Sequence, residues 1–264
     1  MPAIDPSRLE KQVRAVMEAF ADPPRLRSRC LDVLEFYASR VRSSGGEGRR
    51  GAGRALGVPA AVLRELERGL RTAAAAEGHA AAMAAETLWT TSVQEARLLA
   101  IALLERQPVD DLPEWVRAWA QAADDALLLE RLASGPLRLI RQSNADLFWR
   151  TLAACFESRE PSQMTLGLLA LQDAIARVDA ADLPRLFALL TQAPPLQVGD
   201  AWRAHVAVLR ETARRSPAEA ARYLVDEIER GRPGAGRLAR QVIEEFPTRQ
   251  QEALRQSLRT HAAK

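Results

Sequence analysis

The chain alternates between apolar runs at helical spacing and short polar breaks. Directly after Trp89, apolar residues recur every three or four positions: Val93, Ala96, Leu99, Ala100, Leu103 and Leu104. This period puts them on one face of an amphipathic helix, and a preceding helix is predicted to end at Trp89. Ser92 stands three residues before Glu95, the spacing of a capping box that opens a helix. The pattern predicts a helical hairpin within residues 80–106.

Many of the other predicted helices begin at a proline, because proline fits the first helical turn but not the interior. Asp5-Pro6 and Asp22-Pro23 predict capped starts for the first two helices. Further along, Ser216-Pro217-Ala218-Glu219 combines a first-turn proline with a second capping box. From residue 59 onward, short breaks separate one predicted helix from the next.

Successive hairpins repeat at roughly forty residues, the period of HEAT-type repeats. No alternating run of β-branched residues interrupts them. Each hairpin leaves an apolar face that a neighbouring hairpin must cover. We therefore expect an all-α solenoid of about six HEAT-like hairpins with a concave face, forming a single domain over residues 1–264.

Residues 43–59 are rich in glycine and arginine and are predicted to form a flexible loop. Gly46, Gly48 and Gly51 match the dinucleotide-binding spacing, but no strand precedes them, so we do not expect a nucleotide site. Two interpretations of the loop stay open. It is either a solvated connection or a surface that contacts nucleic-acid phosphate through its arginines, Arg49, Arg50 and Arg54.

Charge is distributed unevenly along the chain. Residues 1–72 carry 14 basic and 9 acidic groups, 73–136 carry 4 and 10, and 137–264 carry 19 and 15. All but two of the 37 basic residues are arginines, which fits phosphate binding or a guanine-rich genome equally well. There is no apolar run of membrane-spanning length and no signal-peptide pattern, so a cytoplasmic protein is expected.

Residues suited to metal or cofactor chemistry are sparse. His79, His205 and His261 are remote from one another, and no zinc-binding or phosphate-loop motif occurs. Cys30 and Cys155 lack CxxC spacing and fall in apolar runs, which predicts buried free thiols. We expect no metal and no cofactor, so any chemistry would fall to carboxylates and aromatic side chains.

Two aromatic segments are candidates for a site. Trp115 and Trp119 lie four residues apart, one helical turn, and Asp124-Asp125 follow closely. The second segment, residues 144–150, places Phe148 and Trp149 beside Arg150. For both segments, core packing is one interpretation. The other is a surface facing DNA, to which Trp119, Phe148, Trp149 and Arg150 would contribute.

Two stretches carry a resemblance to a known family. RALGVPAAVLRELERGL (54–70) and AAETLWTTSVQEARLLAIALLE (84–105) resemble DNA alkylation repair glycosylases of the AlkD type, and weaker similarity extends to about residue 156. The resemblance implies HEAT-like repeats that cradle duplex DNA in a basic concavity. It also implies excision of cationic N3- or N7-alkylated purines.

In that family a tryptophan precedes the catalytic aspartate by four residues. With Trp115 aligned to a different tryptophan, the one that commonly opens this helix in the family, the catalytic tryptophan and aspartate positions would fall on Ala122 and Ala126, so this chain departs from the pattern. Shifts of one or two residues bring Asp125 or Asp124 to the aspartate position. We predict that one of these two is catalytic and that the other caps the next helix.

Three functions are compatible with these observations. The protein is an N-alkylpurine glycosylase, a DNA-binding relative without excision activity, or a HEAT-type scaffold for other proteins. Duplex DNA that is alkylated or structurally perturbed is the expected partner of the first two. A monomer that does not associate with membranes is expected.

Overall fold

The computed structural model describes residues 4–42, 54–193 and 199–262, and within these ranges it is all-α. The only strand-like feature there is an isolated bridge between Arg54 and Val93. The helices are α1 Pro6–Met17, α2 Pro23–Arg42, α3 Ala60–Ala76, α4 Gly78–Trp89, α5 Gln94–Leu104, α6 Leu112–Ala122, α7 Ala126–Leu132, α8 Arg138–Ser143, α9 Ala145–Glu157, α10 Pro161–Ala174, α11 Leu183–Gln192, α12 Gly199–Arg215, α13 Pro217–Glu229, α14 Ala235–Val242 and α15 Thr248–Ala262.

The chain divides into two compact units, Met1–Asn144 and Ala145–Lys264. In the first unit, α1 packs on α3, α3 on α5 and α5 on α7, while α2 packs on α4. In the second unit, α9 packs on α11, α10 on α12, α12 on α14 and α13 on α15. Alternate helices are thus neighbours within each unit. These contacts do not test whether the chain forms a single HEAT-like repeat domain with a concave face, so that architecture stays a prediction.

The predicted starts of the first two helices each have an aspartate side chain that caps the helix. The Asp5 carboxylate accepts hydrogen bonds from the Ser7 and Arg8 amides at 3.0 and 3.3 Å, and Pro6 follows as the first helical residue. Asp22 accepts from the Arg25 amide at 3.2 Å. These capped proline starts are confirmed.

Both predicted capping boxes are wrong. Helix α5 begins at Gln94 with Val93, not Ser92, at the N-cap and with no side-chain cap. The Glu95 carboxylate instead accepts a hydrogen bond from the Gly57 amide. Helix α13 does begin at Pro217, but the Ser216 side chain makes no capping hydrogen bond.

A π-helical turn, Ala133–Leu137, joins α7 to α8. Pro136 lies inside this turn, where its missing N–H removes a helical hydrogen bond and favours a local change of register. The two cysteines lie in the buried core, as the apolar runs around them predict. Cys30 and Cys155 are buried and are not joined in a disulfide, and burial raises the pKa of Cys30 to about 12.

No helix in the described ranges is long and apolar enough to cross a membrane.

Candidate functional site

Four backbone segments of the first unit meet around Arg97, which lies in the first turn of α5. Helix α4 ends at Trp89, and a short turn leads from there into α5. Helix α6 contributes Trp119, and the link from α6 to α7 carries Asp124 and Asp125. The sequence separates these residues by up to one complete hairpin, so the fold is what brings them together.

Tryptophans form the apolar side of this cluster. The Trp89 and Trp119 rings stack with centroids 4.3 Å apart and planes 2° from parallel. Trp115 meets Trp119 edge-on, at 5.5 Å and 84°. Trp119 is only 5% exposed, so most of its surface is already covered by protein. These contacts favour the packing interpretation of Trp119 over direct contact with DNA.

Arg97 joins the tryptophans to the acidic link. Its Nε donates to the carbonyl oxygens of Trp89 and Thr91 at 3.2 and 2.9 Å, and its Nη1 donates to Asp124 Oδ1 at 2.9 Å. The guanidinium carbon also lies 5.3 Å from the centre of the Trp89 ring, within range of a cation–π interaction. Arg97 therefore ties the α4–α5 turn to the α6–α7 link.

The two neighbouring aspartates have different roles in the fold. Asp125 is the N-cap of α7: its Oδ1 accepts the Leu127 amide at 2.7 Å, and its Oδ2 accepts from Gln94 Nε2 at 2.7 Å. Both of its oxygens are thus occupied. Asp124 pairs with Arg97 through Oδ1, and its side chain is 36% exposed. Asp124 is the more accessible of the two candidate carboxylates.

A buried carboxylate, Glu95, lies two residues before Arg97 in α5. Glu95 is 4% exposed and accepts hydrogen bonds from the Leu56, Gly57 and Val58 amides at 2.7 to 3.3 Å. This segment leads directly into α3. Glu95 therefore fixes the entry of α3 against the start of α5, a role that its sequence position did not reveal.

The predicted arginine loop is only partly within the described residues. Arg49 and Arg50 lie outside them. Arg54 lies beside α5, where its amide donates to the Ser92 carbonyl at 3.0 Å. Its side chain is 58% exposed, and its guanidinium pairs with Glu35 at 3.4 Å.

The second aromatic segment lies on α9 in the second unit. Phe148 and Trp149 are buried, at 2% and 8% exposure, and they meet edge-on at 5.6 Å. Arg150 is exposed. It borders an open groove of about 600 Å³ whose lining also includes Trp149, Asp146, Arg185 and Leu189. Of the three predicted DNA contacts here, only Arg150 presents its side chain freely to solvent.

Sequence reasoning missed a row of arginines in the first unit. Arg64, Arg68 and Arg71 recur along one side of α3, and with Arg106 they line a groove of about 510 Å³ that contains one acidic residue, Glu67. Arg71 is ion-paired with Glu67 and Glu105 at 2.9 and 2.5 Å. Arg64 and Arg68 are exposed, and Arg68 also pairs with Glu65 on the same helix. The spacing of four and three residues was visible in the sequence and could have identified this row.

No group of three or more histidine, cysteine or acidic side chains suited to a metal ion occurs among the described residues.

Comparison with known protein families shows which family the chain belongs to. A sequence model of the DNA alkylation repair enzyme family matches residues 47–243, about three quarters of the chain. The chain belongs to this family. The matched range contains the Arg97 cluster, the arginine row on α3 and the groove beside Arg150. No curated protein and no solved structure matches the chain.

The family match confirms the resemblance seen in the sequence and supports a role in DNA alkylation repair. It begins after α1 and α2 and ends before α15, so these three helices lie outside the matched range.

Proposed function

We propose that this protein binds duplex DNA and excises N3- and N7-alkylated purines, with Asp124 as the catalytic carboxylate. The observation that carries this proposal is that the two aspartates, both inside the family-matched range, have different environments. Asp125 is used to cap α7, whereas Asp124 is partly exposed beside the tryptophan cluster.

The chemistry requires little more than a placed negative charge. An alkylated purine is cationic, so when the C1′–N9 bond breaks and N9 keeps the electron pair, the base departs neutral. The deoxyribose is left as an oxocarbenium ion. A carboxylate a few ångströms from C1′ stabilises that ion. Water then adds to C1′ and releases a proton to solvent, leaving an abasic site.

Arginines on both units support duplex binding. The row on α3 places Arg64 and Arg68 beside Arg106, and Arg150 is exposed on α9. Arginine contacts with phosphate supply affinity that does not depend on sequence. We propose that the exposed arginines of each unit contact duplex phosphate, with Arg54 adding to those of the first unit. A monomer located in the cytoplasm stays a prediction.

Salt dependence tests the binding part of this proposal. Replacing Arg64, Arg68 and Arg106 by alanine should weaken binding to every duplex and reduce the slope of log K against log salt by at most about three units. The matched triple variant of Arg49, Arg50 and Arg54 measures the loop in the same way. A wild-type affinity with no salt slope would favour the scaffold function instead.

Release of 7-methylguanine from methylated duplex DNA tests excision. The wild-type protein should release the free base and leave abasic sites.

One observation favours a second candidate function, DNA binding without excision. Arg97 lies 2.9 Å from Asp124 and offsets part of its charge. Duplex binding without any base release would support that second function.

A further inference from the structure

Arg97 is held more firmly than an arginine in a simple surface ion pair. Its side chain is 18% exposed, compared with 31% and 36% for Arg71 and Arg131, which also form ion pairs in the first unit. Two backbone carbonyls fix its Nε, and the Trp89 ring lies against its guanidinium. These contacts place the guanidinium independently of Asp124.

Asp124 is the more exposed member of the pair. It belongs to the short link between α6 and α7, and its side chain is 36% exposed. Its Oδ1 accepts from Arg97 Nη1, which sets the rotation of the carboxylate. Oδ2 is then the oxygen that can approach a sugar. The position of Asp124 is thus defined by an arginine whose own position is defined by the α4–α5 turn.

We propose that Arg97 is a positioning residue for excision: it holds the Asp124 carboxylate at a fixed place beside the Trp89–Trp119 stack. This inference rests on the proposed function. It also accounts for an Asp–Arg pair at a site that must stabilise a cation. The positive charge of Arg97 lowers the net field, but a carboxylate held in one orientation acts from the correct distance throughout the reaction. Small displacements of a catalytic group are costly.

A double-mutant cycle separates positioning from a merely structural role. The variants are Arg97→Gln, Asp124→Asn and both together, assayed by single-turnover release of 7-methylguanine from a duplex at saturating protein. Arg97→Gln should slow release roughly tenfold or more. The dissociation constant for the same duplex should stay within about threefold of wild type. In the Asp124→Asn background, the arginine change should have no further effect, since its effect passes through that carboxylate.

Two further variants keep the test decisive. Arg131→Gln removes another ion-paired arginine of the first unit, the partner of Glu67 at 2.7 Å, and should leave the release rate unchanged. Arg97→Lys keeps the charge but cannot reproduce the contacts to two carbonyls and a carboxylate, so its rate should fall between those of wild type and Arg97→Gln. It also serves if Arg97→Gln fails to fold, as circular dichroism would show.

The outcomes distinguish this inference from the function on which it rests. A wild-type protein that releases no 7-methylguanine overturns both. An active wild type with an equally active Arg97→Gln variant overturns only the positioning role. Multiplicative losses in the double variant would also overturn it, because they would show that Arg97 acts independently of Asp124.

Discussion

Each unit of this protein buries a titratable side chain in its core, and the two are accommodated in opposite ways. Glu95 in the first unit, 4% exposed, has three backbone amides directed at its carboxylate. His205 in the second unit is 7% exposed, and its Nε2 has no hydrogen-bond partner among the described residues. Burial lowers the pKa of His205 to about 4, so it is neutral in the folded state at pH 7.

The difference shows where burial of a polar group is informative. The Glu95 contacts reach from α5 to the entry of α3 and help to assemble the surroundings of Arg97. His205 lines a small cavity with Tyr223, Glu227 and Arg232, all residues of the second unit. A buried polar group whose bonds join separate chain segments is therefore the better guide to this site.

The largest effect on folding should come from Glu95→Ala. Three amides would lose their acceptor, and an unsatisfied buried donor costs about 1–3 kcal/mol. The free energy of unfolding, measured with urea, should fall by roughly 3 kcal/mol or more. Glu65→Ala removes a partly exposed carboxylate on α3 that pairs with Arg68, and it should cost less than about 1 kcal/mol. Equal losses for the two variants would contradict the role given to Glu95.

His205 should make the second unit sensitive to acid. Its pKa is 6.5 when unperturbed and about 4 in the folded protein, so the unfolded chain takes up the proton first. The stability contribution is complete above pH 6.5 and is lost as the pH falls towards 4, by roughly 3 kcal/mol in total.

Unfolding at several pH values measures this term. His205→Leu should flatten the dependence between pH 7 and pH 4, whereas His79→Gln, at an exposed position of the first unit, should keep the wild-type dependence. A variant of His205 with the full wild-type acid sensitivity would show that other groups control it.

Asp125 should produce the smallest of these effects. Asp125→Ala removes the cap of α7 and should lower the free energy of unfolding by about 1 kcal/mol. Asp125→Asn keeps an effective cap and should be close to wild type. Asp5→Ala, at the cap of α1, provides a matched comparison. A loss of several kcal/mol at Asp125 alone would mean that its bond to Gln94 dominates over capping.

The sequence predicted features that depend on neighbours along the chain. Asp5 and Asp22 cap helices two or three residues away, and those starts are confirmed. Glu95 was misassigned because its true partners lie 37 to 39 residues away. The Arg97–Asp124 pair spans 27 residues and was likewise invisible to local patterns. The family resemblance, in contrast, rested on contiguous motifs and is confirmed.

The aromatic segments show the same limit. Helical spacing placed Trp115 and Trp119 on one face, but it could not show that Trp89 would stack on Trp119 and cover it. For Phe148 and Trp149, burial supports the packing interpretation, while Arg150 beside them remains exposed. Sequence reasoning identified the right neighbourhoods, and tertiary packing decided which side chains reach solvent.

One comparison tests the account most directly: the single-turnover rate of 7-methylguanine release by wild type, Asp124→Asn and Asp125→Asn on one methylated duplex. We expect the wild-type protein to release the base. The rate for Asp124→Asn should fall by roughly a hundredfold or more at similar DNA affinity, whereas the rate for Asp125→Asn should be nearly unchanged. An Asp124→Asn variant that releases the base as fast as wild type would contradict the account.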